Sequence, residues 1–189
     1  MKPNMKRGYQ IVLSFLLLAG ITLLPASGQR LNEGHPGYVD LERIGDLDDF
    51  FDDDDPREVN VEGPLMRLVA EASRFEDPEL ADLLLTLDGV YVLGYPLDSG
   101  DLDDFNDRAS MIGRELEDRG WTVVVKYRDE DENVRLYVKM DGVQVSGMVV
   151  MSVEKGSRES VFVNIVGDID PEKIGRIGQK FNIGGMKDL

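Results

Sequence analysis

Clustered carboxylates are the side chains of this sequence that could most readily do chemistry. Asp and Glu number 37 against 21 Lys and Arg in 189 residues, and the densest run is Asp46 to Asp55. Hard cations such as calcium prefer clustered carboxylate oxygens. An EF-hand loop also needs Gly at its sixth position and Glu at its twelfth, and this run has neither. We therefore expect a solvated charge run, with calcium binding as the alternative.

A second acidic group has the spacing of a calcium loop. Asp129, Asp131 and Asn133 stand at alternate positions. Val134 occupies the place that needs Gly, and Met140 occupies the place that needs Glu. The pattern therefore indicates the loop of a β-hairpin.

Nucleophilic and metal-binding chemistry has little support in the sequence. There is no Cys, which excludes thiolate zinc sites and thiol nucleophiles, and the one His is His35 in a Gly- and Pro-rich stretch. A Ser-His-Asp triad would have to use this residue. Ser146-Gly147 lies in a strand pattern, whereas a nucleophile elbow joins a strand to a helix. We expect a solvated His35, no cofactor and no bound metal.

Asp168 and Asp170, beside Gly167, are the best-placed pair of carboxylates at a strand end. We interpret them as caps of a final helix. A hydrolase of the glycosidase type would instead need two facing carboxyl groups, one with a raised pKa, in a cleft. A carboxylate-based hydrolase of unknown substrate is therefore the alternative function, and a protein without enzymatic activity is preferred.

The stretch from Trp121 to Val166 organises the chain. Its apolar and polar residues alternate in four runs separated by turn formers, which predicts an antiparallel meander of four strands. Asp141-Gly142 predicts a two-residue hairpin turn, because Gly readily adopts positive φ.

Helical patterns lie mainly before this meander. After a short strand at Val59 and Val61, Pro64 begins one helix and Asp77-Pro78 caps the next, whose apolar stripe ends at Leu87. A strand covers residues 89–97. Asp101 then caps a third helix, which Gly120 ends. Its predicted apolar stripe is Leu102, Phe105, Ala109, Ile112 and Leu116.

These elements predict an α+β fold, with an antiparallel sheet, a four-stranded C-terminal meander and helices packed on one face. We expect one domain over residues 58–183, followed by a short tail at 184–189. A final helix starts at Asp170-Pro171. Residues 29–57 are rich in Gly, Pro and Asp and predict a flexible acidic linker, in which Leu47, Phe50 and Phe51 could dock as a short helix.

The N-terminus has the pattern of an export signal. Lys2, Lys6 and Arg7 precede an apolar run of about fourteen residues, which is short for a membrane span. Pro25 ends the run, and small residues follow up to Gly28. We expect a signal peptide at 1–28, no membrane span after cleavage, and a periplasmic or extracellular location.

Four stretches together resemble a bacterial family known as domain of unknown function 4252. They are VNVEGPLMRLVAEA, DGVYVLGYPLD, RGWTVVVKYRDEDENVRLYVKMDG and VNIVGDIDPEKIGRIGQKFNI, which span Val59 to Ile183. The resemblance implies a small exported protein without an assigned activity. It also implies an envelope role linked to stress signalling, because members accompany genes for extracytoplasmic sigma factors. It carries over no catalytic residues.

The predicted register of the meander suggests a partner surface. Pairing Arg128 with Asn133 and turning at Asp141-Gly142 places apolar and basic residues together on the outer face of the sheet. Trp121, Val123 and Val125 would face the helices. The predicted partner surface consists of Lys126, Arg135, Tyr137, Lys139, Met148, Val150 and Phe162, with Val166 beside them.

A basic group in so acidic a chain favours an acidic neighbour. That neighbour is either the run Asp46 to Asp55 or another envelope protein, and the net charge of −16 argues against nucleic acid as a partner. We therefore expect a non-enzymatic, exported protein-binding module.

We predict that the exported protein begins at Gln29, because small residues at the −3 and −1 positions favour cleavage after Gly28. Intact-mass measurement of the exported product will check this. A membrane-bound product that retains Met1 would contradict the expectation.

Overall fold

The computed structural model describes residues 31–47, 57–96, 102–128, 132–154 and 159–170. The described part of Leu31–Ile169, a range that forms one compact unit, contains four helices and six strands. In chain order they are α1 (Leu41–Gly45), β1 (Arg57–Glu62), α2 (Pro64–Ser73), α3 (Pro78–Leu84), β2 (Leu87–Pro96), α4 (Leu102–Asp118), β3 (Trp121–Arg128), β4 (Glu132–Asp141), β5 (Gln144–Glu154) and β6 (Glu159–Ile169).

All six strands form one antiparallel sheet in the order β1-β2-β6-β5-β4-β3. The predicted α+β class is confirmed, as is the meander of β3 to β6. The short strand at Val59 pairs with β2 and completes the sheet. Leu87 begins β2 and does not belong to the apolar stripe of α3, where the sequence had placed it.

Helix α4 buries the apolar stripe that the sequence predicts. Phe105, Ala109, Ile112 and Leu116 are all fully buried against the sheet. The helix ends as expected, because Gly120 takes a left-handed φ of 78° and its N–H donates to the Glu117 carbonyl at 2.9 Å. Among the described residues, no helix is long and apolar enough to cross a membrane.

The other long helix belongs to a helical hairpin. Pro64 begins α2 and Pro78 begins α3, and Asp77 caps α3 by accepting from the Leu80 N–H at 3.1 Å. The two helices pack on each other, and α2 contacts β1 and β2. The hairpin therefore lies at the end of the sheet opposite β3.

On β4 and β6, the sheet face beneath α4 is not the one that the sequence predicted. Cross-strand partners share a face, and Tyr137 pairs with Val149, which pairs with Asn164. Tyr137 and Val149 lie in the core with α4. We call this the helix face, and we call the opposite face, which carries Leu136 and Val163, the far face.

Two local features shift the predicted register. The hairpin loop is Gly142-Val143 and not Asp141-Gly142, since Asp141 pairs with Gln144. β-bulges then displace the pairing near Val124 in β3 and near Ser146 in β5. Because each one-residue slip exchanges the two faces of a strand, Val125 pairs with Leu136 on the far face and its predicted assignment to the core face is wrong, whereas Trp121 and Val123 lie on the helix face as predicted.

Residues 31–47 pack along the helix face, where the sequence predicted a flexible linker. Val39, Leu41 and Leu47 are buried in the same core as α4. The side chain of Arg108 also donates to the Gly45 carbonyl at 3.0 Å. We call residues 31–47 the strap. The apolar side chains in its second half anchor the strap to the core, although its Gly and Asp content is typical of a linker.

A buried amide holds the strap to the sheet. Asn164 is fully buried, its Oδ1 accepts from the Val39 N–H at 2.9 Å, and its Nδ2 donates to the Gly37 carbonyl at 2.9 Å. Nδ2 also donates to the Met148 carbonyl at 3.3 Å. One side chain therefore satisfies a donor and an acceptor of the strap backbone that would otherwise be buried unpaired.

Glycines allow this close approach. A Cβ on Gly37 would overlap the Ser146 carbonyl, and a Cβ on Gly147 would overlap the backbone of Gly37. The strap therefore lies directly against the bulge in β5, backbone on backbone.

The strap also contacts β2 through its first residues. Asn32 donates to the Tyr91 hydroxyl at 2.8 Å, and that hydroxyl donates to Glu62 at 2.7 Å. The rings of Tyr38 and Tyr91 meet edge to face at 5.2 Å. Burial, and then the hydrogen bond to Glu62, raise the pKa of the Tyr91 hydroxyl well above its ordinary value.

Several predicted features lie outside the described residues. They are the signal peptide, the acidic run from Asp48 onward with Phe50 and Phe51, the Asp101 cap, the hairpin loop with Asp129 and Asp131, and the final helix after Asp170.

We predict that Gly37→Ala destabilises the fold by about 1–3 kcal/mol, because the methyl group must displace the strap from β5. Urea unfolding will measure the loss, and hydrogen exchange at residues 37–39 will show whether the strap loosens. Gly34→Ala is the matched control, since a Cβ there meets nothing within 4 Å. Equal stability of the two variants would contradict the close packing of the strap.

Candidate functional site

The predicted partner surface is divided between the two faces of the sheet. Met148 and Val150 lie on the far face, and the other five residues lie on the helix face. Arg135, Tyr137 and Phe162 are buried there. Lys126 is exposed, and Lys139 is half-buried with its Nζ donating to the Arg119 carbonyl. The seven residues therefore do not form one surface, and binding of a partner by them stays a prediction.

The helix face contains a polar cluster among its apolar side chains. Arg135 on β4 is 5% exposed and lies beneath the first half of α4. Its Nη2 donates to Ser110 Oγ at 2.9 Å and to the Asn106 carbonyl at 3.3 Å. Asn133, two residues before Arg135, donates through Nδ2 to the side chain of Asn106. We call Asn106, Ser110, Asn133, Arg135 and Tyr137 the polar cluster.

Tyr137 completes this cluster. Its hydroxyl lies so close to Gly113 of α4 that a Cβ there would overlap it. Burial raises the pKa of the Tyr137 hydroxyl, while the charge of Arg135 acts in the opposite direction. Gly113 therefore stands inside a helix because the tyrosine needs the space, although Ala would favour the helix.

The electrostatics of the cluster are unbalanced. Each acceptor that the described residues offer to the Arg135 guanidinium is uncharged: the Asn106 main-chain carbonyl and the Ser110 hydroxyl. Its buried Nε has no hydrogen-bond partner among them. Directly across the strand pair stands Lys126, a second positive charge. The site can therefore receive negative charge.

A separate surface is formed by apolar side chains on the hairpin of α2 and α3. Met66 and Ala70 face inward from α2 and are buried. Leu68 is 62% exposed, and Phe75, in the turn after α2, is 96% exposed. Leu65 and Leu85 are partly exposed beside them in the sequence. We call Leu65, Leu68, Phe75 and Leu85 the hairpin surface.

The edge of the sheet at β3 is also accessible. This strand pairs only with β4, and Val123, Val124 and Tyr127 are each about 40% exposed. The bulge near Val124 and the charges of Lys126 and Arg128 are features that commonly protect edge strands from unwanted pairing.

His35 is held within the strap and is not fully solvated, contrary to expectation. Its Nδ1 accepts from the Gly37 N–H at 3.1 Å, and its Nε2 lies 3.8 Å from a carboxylate oxygen of Asp88.

Asp168 accepts from the Gln144 side chain at 3.1 Å. In the described part of the chain, no group of three or more His, Asp and Glu side chains could hold a metal ion.

Comparison with known families assigns the chain. The sequence model of the domain of unknown function DUF4252 matches residues 50–177, which is well over half of the chain. The chain belongs to this family. The DUF4252 match includes the helical hairpin, α4 and the whole meander, and it begins after the strap. No curated protein matches the chain.

Sequence reasoning missed two parts of this DUF4252 protein. The strap looked like a linker, although Val39, Leu41 and Leu47 stand at apolar positions within it. The exposure of Leu65, Leu68 and Phe75 was not predicted, because they continue the helical spacing of the buried residues. The apolar residues of α2 span a wider arc than one sheet face can cover. This width was the signal that some of them are exposed.

We predict that Gly113→Ala is destabilising in the native chain and much less so beside Tyr137→Phe, which removes the overlapping hydroxyl. The coupling between the two changes should be about 1–2 kcal/mol in urea unfolding of the two single variants and the double variant. If the effects of the two substitutions on stability are strictly additive, the Tyr137 hydroxyl is not the reason for a glycine at position 113.

Proposed function

We propose that this DUF4252 protein is an exported, non-enzymatic module of the bacterial envelope that binds another protein through its hairpin surface. The predicted export signal and the family resemblance support the location. A link to envelope stress signalling belongs to the same proposal and is supported by the resemblance alone.

The exposure of Phe75 and Leu68 is the observation that carries this proposal. A soluble domain gains free energy by burying large apolar side chains, so several exposed ones on one short hairpin indicate a surface that a partner covers. Fully burying one such side chain contributes about 1.5–3 kcal/mol. Two or three of them are enough for a specific contact of moderate affinity.

The charges around the hairpin surface indicate the chemistry of its partner. Exposed carboxylates at Glu71, Glu76, Glu79 and Asp82 outnumber the exposed guanidinium groups of Arg67 and Arg74. Arg74 is already paired with Glu71 at 3.2 Å and with Asp82 at 3.5 Å. The surface therefore fits a protein that presents an apolar ridge flanked by basic side chains.

The alternative function, a carboxylate-based hydrolase, depends on a different kind of site. Such an enzyme needs facing carboxyl groups in a cleft, whereas the hairpin presents exposed apolar side chains with its carboxylates around them. The hairpin surface therefore favours binding, and the hydrolase stays an alternative prediction.

We predict that replacing Leu68 and Phe75 with Ser lowers the capture of an envelope partner at least tenfold, since two apolar anchors are lost. The exported protein would be immobilised and incubated with envelope extract, and bound proteins would be quantified by mass spectrometry. A benzophenone amino acid at position 75 would mark covalently the protein that touches this surface.

Val143→Ser is the matched control, because Val143 is 91% exposed at the tip of the β4–β5 hairpin, away from α2 and α3. It should bind the partner as the native chain does. Both variants should unfold within about 0.5 kcal/mol of the native chain. A partner that binds the Leu68 and Phe75 variant undiminished, or that is not marked from position 75, would overturn the proposed function.

A further inference from the structure

Arg135 is a buried cation without a counter-charge among the described residues. It is 5% exposed, and its acceptors among the described residues are the Asn106 carbonyl and Ser110 Oγ. These groups can satisfy N–H donors, but they carry no negative charge. Removing a guanidinium from water costs several kcal/mol unless an anion compensates it.

The Nε of Arg135 shows where compensation is incomplete. This atom is buried and donates to no described residue. A guanidinium presents its donors in a planar fork that matches the two oxygens of a carboxylate. The free Nε–H is therefore a position at which one oxygen of an anion can be bound.

Lys126 adds a second positive charge at the same place. It pairs directly with Arg135 across β3 and β4, so the two side chains leave the sheet on the same face. Like charges in this position repel each other, and a chain with a net charge of −16 has no general need for such a pair. An anion between the two cations would turn this repulsion into attraction.

The position of Lys126 also provides access. Lys126 is exposed and belongs to β3, the strand at the sheet edge, so Arg135 lies one strand away from solvent.

We propose that Arg135 and Lys126 form a binding site for a carboxylate or another small oxyanion at the β3 edge of the sheet. Arg135 would supply its buried Nε–H, and the exposed Lys126 would supply its ammonium group. The carboxylate belongs either to a free small acid or to an acidic side chain of a bound protein. This site does not depend on the hairpin surface, and it can exist even if that surface binds nothing.

Anion-dependent thermal unfolding of the exported protein tests the site. Acetate, succinate and sulfate would each be titrated against sodium chloride at equal ionic strength. We expect a saturable rise in Tm of about 3 to 6 °C at ten times the dissociation constant of the best anion. The signal of the Arg135 Nε–H in nitrogen-15 spectra should move along the same titration curve.

Variants separate this site from general salt effects, since sulfate stabilises most proteins without binding to a site. Arg135→Met should lose the saturable response, and Lys126→Met should weaken it about tenfold or more. Arg43→Met, which removes an exposed charge on α1, should respond as the native chain does. If Arg135→Met does not fold, Lys126→Met and the Nε–H signal decide the question.

Two results would overturn the proposal. One is an equal response of the native chain and Arg135→Met, and the other is an Nε–H signal that no anion moves. If the site exists, partner capture distinguishes the two sources of the carboxylate. A partner lost from Arg135→Met indicates an acidic side chain, whereas unchanged capture indicates a free acid. The variant with Ser at 68 and 75 should keep the anion response, so failure of the hairpin surface can be recognised separately.

Discussion

The burial of one sheet face beneath α4 and the strap determines most of what this structure can do. Phe162 at the centre of that face contacts the ring of Phe105 from α4, with centroids 5.6 Å apart, and the ring of Tyr95 from β2, at 6.1 Å. One helix is too narrow to cover six strands, so residues 31–47 complete the cover with Val39, Leu41 and Leu47. The strap is therefore part of the core, although it lies outside the region that matches the DUF4252 family.

Because α4 and the strap bury this face, its polar groups need hydrogen-bond partners or counter-charges. Asn164 is paired at each of its amide atoms, so its burial fixes the position of the strap. The acceptors that the described residues offer to Arg135 are uncharged, which is why we propose that an anion compensates it. Asn164 on β6 and Arg135 on β4 are separated by β5, and both are buried on the helix face. Asn164 has hydrogen-bond partners for its amide atoms and is therefore a structural residue. Arg135 has no counter-charge among the described residues and is therefore a candidate binding residue.

The two candidate sites lie at opposite ends of the strand order. The hairpin of α2 and α3 contacts β1 and β2, whereas Lys126 stands on β3. The hairpin surface is apolar with an acidic border, and the β3 edge is basic. A single partner that covers both would need the complementary charge pattern, and two separate ligands would not compete. The sheet thus serves as a rigid support that presents two chemically different surfaces.

Much of the architecture could be predicted from the sequence. The alternation of β3 to β6, the proline and aspartate caps of α3 and the apolar stripe of α4 predict the class and order of the elements, because each signal is local. Gly120 was also predicted to end α4, since only a residue that tolerates positive φ suits that position. The family was identified from the same local stretches, whose order and character the DUF4252 match confirms.

Tertiary structure decided which face of the sheet is buried and what lies upon it. The bulge near Ser146 displaces the pairing of β5 with β4 and β6, and it lies where β5 meets the strap backbone at Gly37, more than a hundred positions away in the sequence. Local sequence determines that a side chain is apolar or charged, but packing between distant segments determines whether water or protein surrounds it.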